Sequence, residues 1–369
     1  YFILGVIFLV TVIITFISMK FEQIMPSATT MADATLPTVA MDTEAGTQYN
    51  VLHGYTSELD STLFYGNITP VAKDRKLTVT INTYGEDIEG VAYKIRSLED
   101  KSLIENTEVS DYDNAGSSIN VTFNIKNLLD TGKEYALEVV LKTKKHETVY
   151  YYTRIVYGVD YDLQKKLDFV MDFNACTFDD SRLKDIVGYL ETSSSGDNTN
   201  YGKVNINCSL SQVGWGDLDP YVESDIMPEV ISVDDDVAIL RLSYRVGAAN
   251  DYSSSDTYTV SEYYRIRQTN SGFYLLNFER EMNQVFDARN DLTSTAKINL
   301  GINSSTDVNC ASDEKGIYTY FVNQGSLWCF NSSSQTFTRV FSFKGEETDS
   351  VREGYDAHNI KIMKIEDNG

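Results

Sequence analysis

Residues that most enzyme centres rely on are scarce in this chain of 369 residues. Histidine occurs three times, as His53, His146 and His358. A Ser-His-Asp site would need one of these, and no G-x-S-x-G elbow stands at a strand-to-helix turn. His146-Glu147 runs on into Thr-Val-Tyr, so the H-E-x-x-H pair of a zinc hydrolase is absent. Gly85, Gly90 and the Gly214-x-Gly216 pair are isolated turn glycines, so no phosphate-cradling loop is present. The four cysteines, Cys176, Cys208, Cys310 and Cys329, never form C-x-x-C, which excludes a zinc ribbon or a redox dithiol. Cys176 with Cys208 and Cys310 with Cys329 are candidate disulfides by sequence proximity. Buried free thiols are the competing expectation. No catalytic residue, cofactor or bound metal is expected.

Long apolar runs are absent too, with one exception. Residues 1–19 (YFILGVIFLVTVIITFISM) carry no charge, and Lys20 follows. At about 1.5 Å per helical residue the run reaches about 28 Å, close to the hydrocarbon thickness of a bilayer. A cleaved signal peptide has a shorter apolar core with an A-x-A-like site close behind it. The only such site here, Ala32-Asp33-Ala34, lies well downstream and carries an acid. A buried core helix would show a polar face, and this run has none. We expect a retained transmembrane signal anchor over residues 1–19 and a juxtamembrane tether over residues 20–45. The first residue is Tyr rather than Met, so a short basic cytoplasmic head is expected ahead of it. After Lys20 the next charges are Glu22, Asp33, Asp42 and Glu44, all acidic. By the positive-inside rule the body is expected outside the cytoplasm.

Positive charge is in deficit. Lys and Arg number 31 against 54 Asp and Glu, for a net charge of −23. This argues against nucleic acid and against docking on anionic lipid headgroups. Five N-x-S/T sequons, at Asn67, Asn120, Asn207, Asn303 and Asn331, matter only in a eukaryotic source, and a bacterial cell surface is the expectation.

The body reads as mainly β. Residues 46–158 hold short alternating segments: 76–83 (KLTVTINT), 90–98 (GVAYKIRSL), 117–125 (SSINVTFNI), 134–142 (EYALEVVLK) and 148–157 (TVYYYTRIVY). A first strand near residues 36–41 precedes them. This spacing predicts an immunoglobulin- or fibronectin-like β-sandwich. Residues 160–194 switch to a helical period: Leu163, Leu167, Val170 and Met171, then Leu183, Ile186, Val187 and Leu190, with Asp160 or Asp162 as the first cap. Strands are expected again at 203–213, 229–233, 237–246, 258–268 and 273–286, so that residues 159–290 form an α+β module, a helix pair followed by antiparallel strands. From residue 291 the segments 316–323, 326–331 and 336–343 form a meander like one β-propeller blade, with 263–286 as part of another and a further strand at 359–365. Asp367-Asn368-Gly369 is a hairpin turn without a returning strand, so residues 291–369 are expected to be a truncated part of a propeller.

The order of anchor, tether, LPTVAM segment, TYG-containing sandwich, helix pair, VGWGDLD and EYYRIR…FYLLNFEREMNQVFD resembles a family of uncharacterised membrane-anchored bacterial proteins. The resemblance covers nearly the whole chain. It implies topology and architecture, and it brings no activity and no site residues.

Residues that could meet a ligand are few. Trp215, Trp328 and the 25 tyrosines could stack on sugars, although aromatics on alternating strands pack in cores. Residues 111–116 (DYDNAG) imitate the start of a calcium loop, but Ala115 and Thr122 stand where acids are needed. Asp217-Leu218-Asp219 and Asp234-Asp235-Asp236 could hold a hard cation or be solvated turns. The expected function is therefore a membrane-anchored extracytoplasmic binding or scaffold protein. Its partners would be the membrane, through residues 1–19, and an envelope protein or wall polymer. The alternative is a cell-wall or carbohydrate-acting enzyme whose acids lie in the expected missing C-terminal part.

Overall fold

The computed structural model describes residues 34–112, 116–158, 161–249, 255–288, 293–294, 297–300, 309–343, 351–352 and 358–365. The predicted anchor and most of the tether fall outside these residues. No helix among the described residues is long and apolar enough to cross a membrane. The chain is mainly β, in several antiparallel sheets. It divides into two compact units, one over Asp33–Gln284 with Glu347–Tyr355 and one over Val285–Glu346 with Asp356–Gly369.

The larger unit begins with two facing sheets. The first orders β2 (Gln48–His53), β1 (Thr38–Asp42), β4 (Lys76–Asn82) and β7 (Ser118–Asn124). Alternation builds its inner face: Leu77, Val79 and Ile81 of β4 stand opposite Phe123, Val121 and Ile119 of β7, all buried. The second sheet orders β3 (Ile68–Val71), β9 (Glu147–Tyr157), β8 (Glu134–Thr143), β5 (Ile88–Ser97) and β6 (Leu103–Val109). Tyr93 of β5 stacks on Phe123 at 4.7 Å between ring centroids, and the Tyr151 hydroxyl of β9 donates to the Pro37 carbonyl at 2.8 Å. These contacts join the two inner faces into one core.

The unit continues through α1 (Leu163–Thr177) and a 3-10 turn (Leu183–Tyr189) into a six-stranded sheet. Its strands are β10 (Lys203–Asn205), β11 (Tyr221–Val222), β12 (Met227–Val233), β13 (Val237–Ala249), β14 (Ser255–Thr269) and β15 (Gly272–Gln284). The order is β10-β15-β14-β13-β11, with β12 also on β13. α1 lays Leu167, Val170 and Phe173 on the inner face, where Phe173 meets Tyr264 at 5.7 Å and Phe278 at 5.4 Å. Asn50 ties this part to the facing sheets. Its amide nitrogen donates to the Ile68 carbonyl at 2.9 Å and to the Thr69 hydroxyl at 3.1 Å, and its oxygen accepts from the Val230 amide at 2.7 Å.

Several predictions change here. The expected second helix is a 3-10 turn. Among its seven residues only Ile186 is fully buried, and β-branched Val187 and Gly188 favour the α-helix poorly. Asp162 sits at the first position before α1 in the left-handed region (φ 49°) without capping it; its carboxylate instead accepts from Lys165 and Gln268. Asp160 lies outside the described residues. The strand expected at 203–213 stops at Asn205, and α2 (Leu210–Val213) follows, capped by the Ser209 hydroxyl. Residues 263–284 belong to β14 and β15 of the six-stranded sheet, and Phe286 packs in the smaller unit.

The smaller unit holds a short pair, β16 (Thr293–Ser294) and β17 (Lys297–Ile298), and a meander of β18 (Cys310–Ser312), β19 (Tyr318–Asn323), β20 (Ser326–Asn331) and β21 (Thr336–Ser342). Gln324 and Gly325, both at positive φ, close the β19–β20 hairpin in two residues. The core is aromatic: Phe286, Phe321, Trp328, Phe330 and Phe337. Residues 359–365, expected as a strand, form none in their described part.

Candidate functional site

The densest polar chemistry lies on the inner face of the six-stranded sheet. Alternation puts Val260, Glu262, Tyr264 and Ile266 of β14 on that face, with Phe278, Arg280 and Met282 of β15 opposite. Glu262 and Arg280 thus form a direct cross-strand pair with both side chains fully buried, Nε to Oε1 at 2.7 Å. The other Glu262 oxygen accepts from the Tyr264 hydroxyl at 2.6 Å and from Asn174 of α1 at 2.8 Å. Arg280 also donates to the Val213 carbonyl at 2.8 Å, and its guanidinium lies 3.6 Å over the Trp215 ring. The Trp215 indole N–H donates to Thr177 at 3.2 Å, and Thr177 donates to the Asn174 carbonyl. Burial, followed by the charge of Glu262, pushes the Tyr244 and Tyr264 phenols well above the usual tyrosine range, so both stay protonated. Every hydrogen bond of this cluster goes to another of its members or to nearby backbone. Chemically it can hold β14, β15, α1 and the Trp215 turn in one arrangement.

Trp215 is therefore a core residue and not ligand-facing. The VGWGDLD motif explains how it gets there. Trp215 takes φ 68°, in the left-handed region, between two glycines whose replacement would force a neighbouring side chain to move. A Cβ at Gly214 would stand 2.5 Å from Leu183 and one at Gly216 2.3 Å from the Tyr201 hydroxyl. Trp328 is also buried, packed on Phe286 at 4.8 Å in the smaller unit. Neither tryptophan offers a face to a sugar.

A second buried charge occupies the proposed cation turn. Lys166 of α1 is fully buried, and its ammonium donates to the carbonyls of Tyr161 at 2.6 Å, Asp234 at 2.7 Å and Asp235 at 3.1 Å. Burial lowers its pKa, opposed by Asp162 and the Asp234-Asp235-Asp236 run. The carbonyls that would have served a hard cation already hold an ammonium. Among the described residues no group of three or more His, Cys, Asp or Glu could hold a metal, which includes Asp217 and Asp219. Asp113, Asn114 and Ala115 of the calcium-like segment lie outside the described residues.

The cysteines are free thiols, and Cys176 and Cys208 are buried. Cys310 stands opposite Phe321 and Cys329 opposite Tyr320. Phe321 and Tyr320 are neighbours on one strand, so the two thiols lie on opposite faces of the sheet and cannot bond. Cys208 donates to the Asp197 carbonyl at 3.3 Å and, more weakly, to Asn205 at 3.6 Å. Each histidine has its own setting: His53 ends β2, His146 sits in the β8–β9 turn, and His358 stacks on Phe343 in the smaller unit.

The sequence signal for the Glu262–Arg280 pair was present and unread. Both charges stand at inward positions of strands whose neighbours are apolar, a phase that solvent-facing charges do not share. The outer face of the same sheet carries the opposite pattern. Arg241, Ser243, Ser261, Arg265 and Arg267 are exposed there.

Neither a protein-family model nor a curated protein matches this chain.

Proposed function

We propose that the chain is a membrane-anchored extracytoplasmic binding or scaffold protein. Residues 1–19 would hold it in the membrane, in keeping with the family that its segment order resembles. The facing sheets serve as an immunoglobulin-like spacer, the six-stranded module as a presenting surface, and the smaller unit's meander as a blade of a larger propeller. The observation that carries this reading is the fusion of spacer and module. Asn50 bonds both, and one continuous buried cluster runs from Val39 to Met282. A body built this way holds a surface at a fixed distance and orientation from its tether, as a scaffold must.

Fractionation and impermeant labelling test it. The full chain expressed in bacteria should pellet with membranes, resist an alkaline wash and react with a lysine label added to intact cells. A chain free in the cytosol, or one labelled only after permeabilisation, would overturn the reading.

A further inference from the structure

Strands β13 and β14 pair without interruption from Val237 opposite Arg267 to Ala249 opposite Ser255. The outward positions of β13 are Val237, Ile239, Arg241, Ser243, Arg245 and Gly247; those of β14 are Thr257, Thr259, Ser261, Tyr263, Arg265 and Arg267. None is acidic, in a protein with a net charge of −23. Four of the chain's twelve arginines stand here. Arg265 and Arg267 are two residues apart, about 6.8 Å along the strand, and Arg241 is diagonal to Arg265 across the ladder. Acids flank it on the neighbouring strands and turns: Glu229 on β12, Glu279 and Glu281 on β15, Asp236 in the turn, and Glu223, which with Tyr221 covers Gly247 at the far end. Arg241 reaches Glu229 at 3.3 Å and Arg267 reaches Asp236 at 3.8 Å, both as exposed pairs that a ligand can exchange at little cost. Tyr263 lies opposite Arg241, and exposed Tyr274 lies opposite Arg267.

We infer that this face binds an acidic polysaccharide, its carboxylates taken by Arg241, Arg265 and Arg267 and its sugar rings resting on Tyr263 and Tyr274. The inference rests on the binding reading above and names its surface and ligand class. Charge complementarity selects the occupant. The planar guanidinium fork matches a carboxylate at two points. Fields are screened within about 8 Å at physiological salt, so the local stripe, and not the net charge, governs what sits on it. The surrounding acid repels a polyanion everywhere else, which confines it to the stripe. A duplex nucleic acid, with one charge per about 1.7 Å, meets that repulsion at far higher charge density than a polymer with one carboxylate per sugar. A long face along two paired strands suits an extended chain.

The purified full chain in detergent is tested against immobilised polygalacturonate, neutral dextran and single-stranded oligothymidylate. Two double variants of equal charge change accompany it: Arg265→Glu with Arg267→Glu on the stripe, and Lys144→Glu with Lys145→Glu in the exposed β8–β9 turn. The parent should bind polygalacturonate in a salt-dependent way and leave dextran unbound. The stripe variant should bind about tenfold more weakly or worse, and the turn variant should match the parent, with unchanged melting curves in both. No binding by the parent, equal binding of dextran, tighter binding of oligothymidylate, or equal loss in both variants would each overturn the inference. The arms use purified protein. A chain that is labelled from outside the cell but ignores polygalacturonate therefore sinks this inference alone, and the proposed function stands.

Discussion

Arginine serves opposite ends on the two faces of the six-stranded sheet. Arg280 of β15 points inward, is fully buried, and meets a carboxylate, a carbonyl and an indole face. Arg265 of β14 points outward and is exposed. The residue type is the same and the strands are neighbours; only the parity of the position differs. Inside, the desolvated charge must be paired, and it is, through Nε to Glu262 and through Nη1 to the Val213 carbonyl. Outside, water already satisfies the guanidinium, so it stays available to a partner and adds little to the fold.

The sharpest test of that contrast is Arg280→Ala. It leaves Glu262 buried without its counter-charge and removes the cover of Trp215. The loss should be about 3–5 kcal/mol of stability, read from urea unfolding of the full chain. The double variant Glu262→Leu with Arg280→Met removes both charges and keeps their volume, and it should recover most of the loss. If the double variant is as unstable as the single one, the cluster stabilises through something other than charge pairing.

The contrast extends to Asn50, a neutral buried group at positive φ (47°) with three hydrogen bonds. Asn50→Ala strands the Val230 amide and forces alanine into the left-handed region, for a loss of about 2–4 kcal/mol. Asn50→Gly relieves the backbone and leaves the amide stranded, so it should lose less. The difference between the two separates strain from bonding.

His53 carries the comparison into pH. Burial pushes its pKa down to about 4, below the ordinary value of 6.5. Between those two values the unfolded chain binds the proton and the folded chain does not, so stability falls as pH drops from 6.5 to 4. The full shift corresponds to a loss of about 3 kcal/mol, absent at neutral pH and complete once the pH has fallen below about 4. His53→Gln should flatten that part of the urea-midpoint profile relative to the parent. Identical slopes would show that the imidazole is protonated in the fold.

Much of this layout was legible in the sequence. β4, β5, β7, β8 and β9 follow from alternation alone, because one face of each is sealed and every slip would turn an apolar residue to water. β3 was missed because Pro70 argues against a strand; it is tolerated at the sheet edge, where a missing N–H costs no ladder bond. β6 was missed because the polar run Glu-Asn-Thr-Glu breaks the apolar alternation of LIENTEV, and its one buried residue is Glu105, held by the Tyr93 hydroxyl at 2.7 Å. Trp215 read as a sugar-stacking aromatic because what buries it, Arg280, lies on a strand far along the chain. Contacts of that kind leave no local period to read. The stripe on the outer face was open to the same alternation, but only once the register of β13 on β14 was fixed.

The smallest expected effect is the one that most tests the parity argument. Arg265→Ala removes a guanidinium from the exposed face of β14 opposite Ile239 and Asn277. Nothing buried is uncovered, and no described ion pair is broken. The change in stability should lie within about 0.5 kcal/mol, an order of magnitude less than that of Arg280→Ala on the adjacent strand. A β-branched replacement, Arg265→Thr, should be neutral or slightly stabilising, because the pleated surface favours such side chains. Both can be read in the same urea titration as the buried variants. A loss of several kcal/mol on removing Arg265 would mean that the outer face is packed against something in the intact protein. The contrast between a structural inner arginine and a free outer one would then fail.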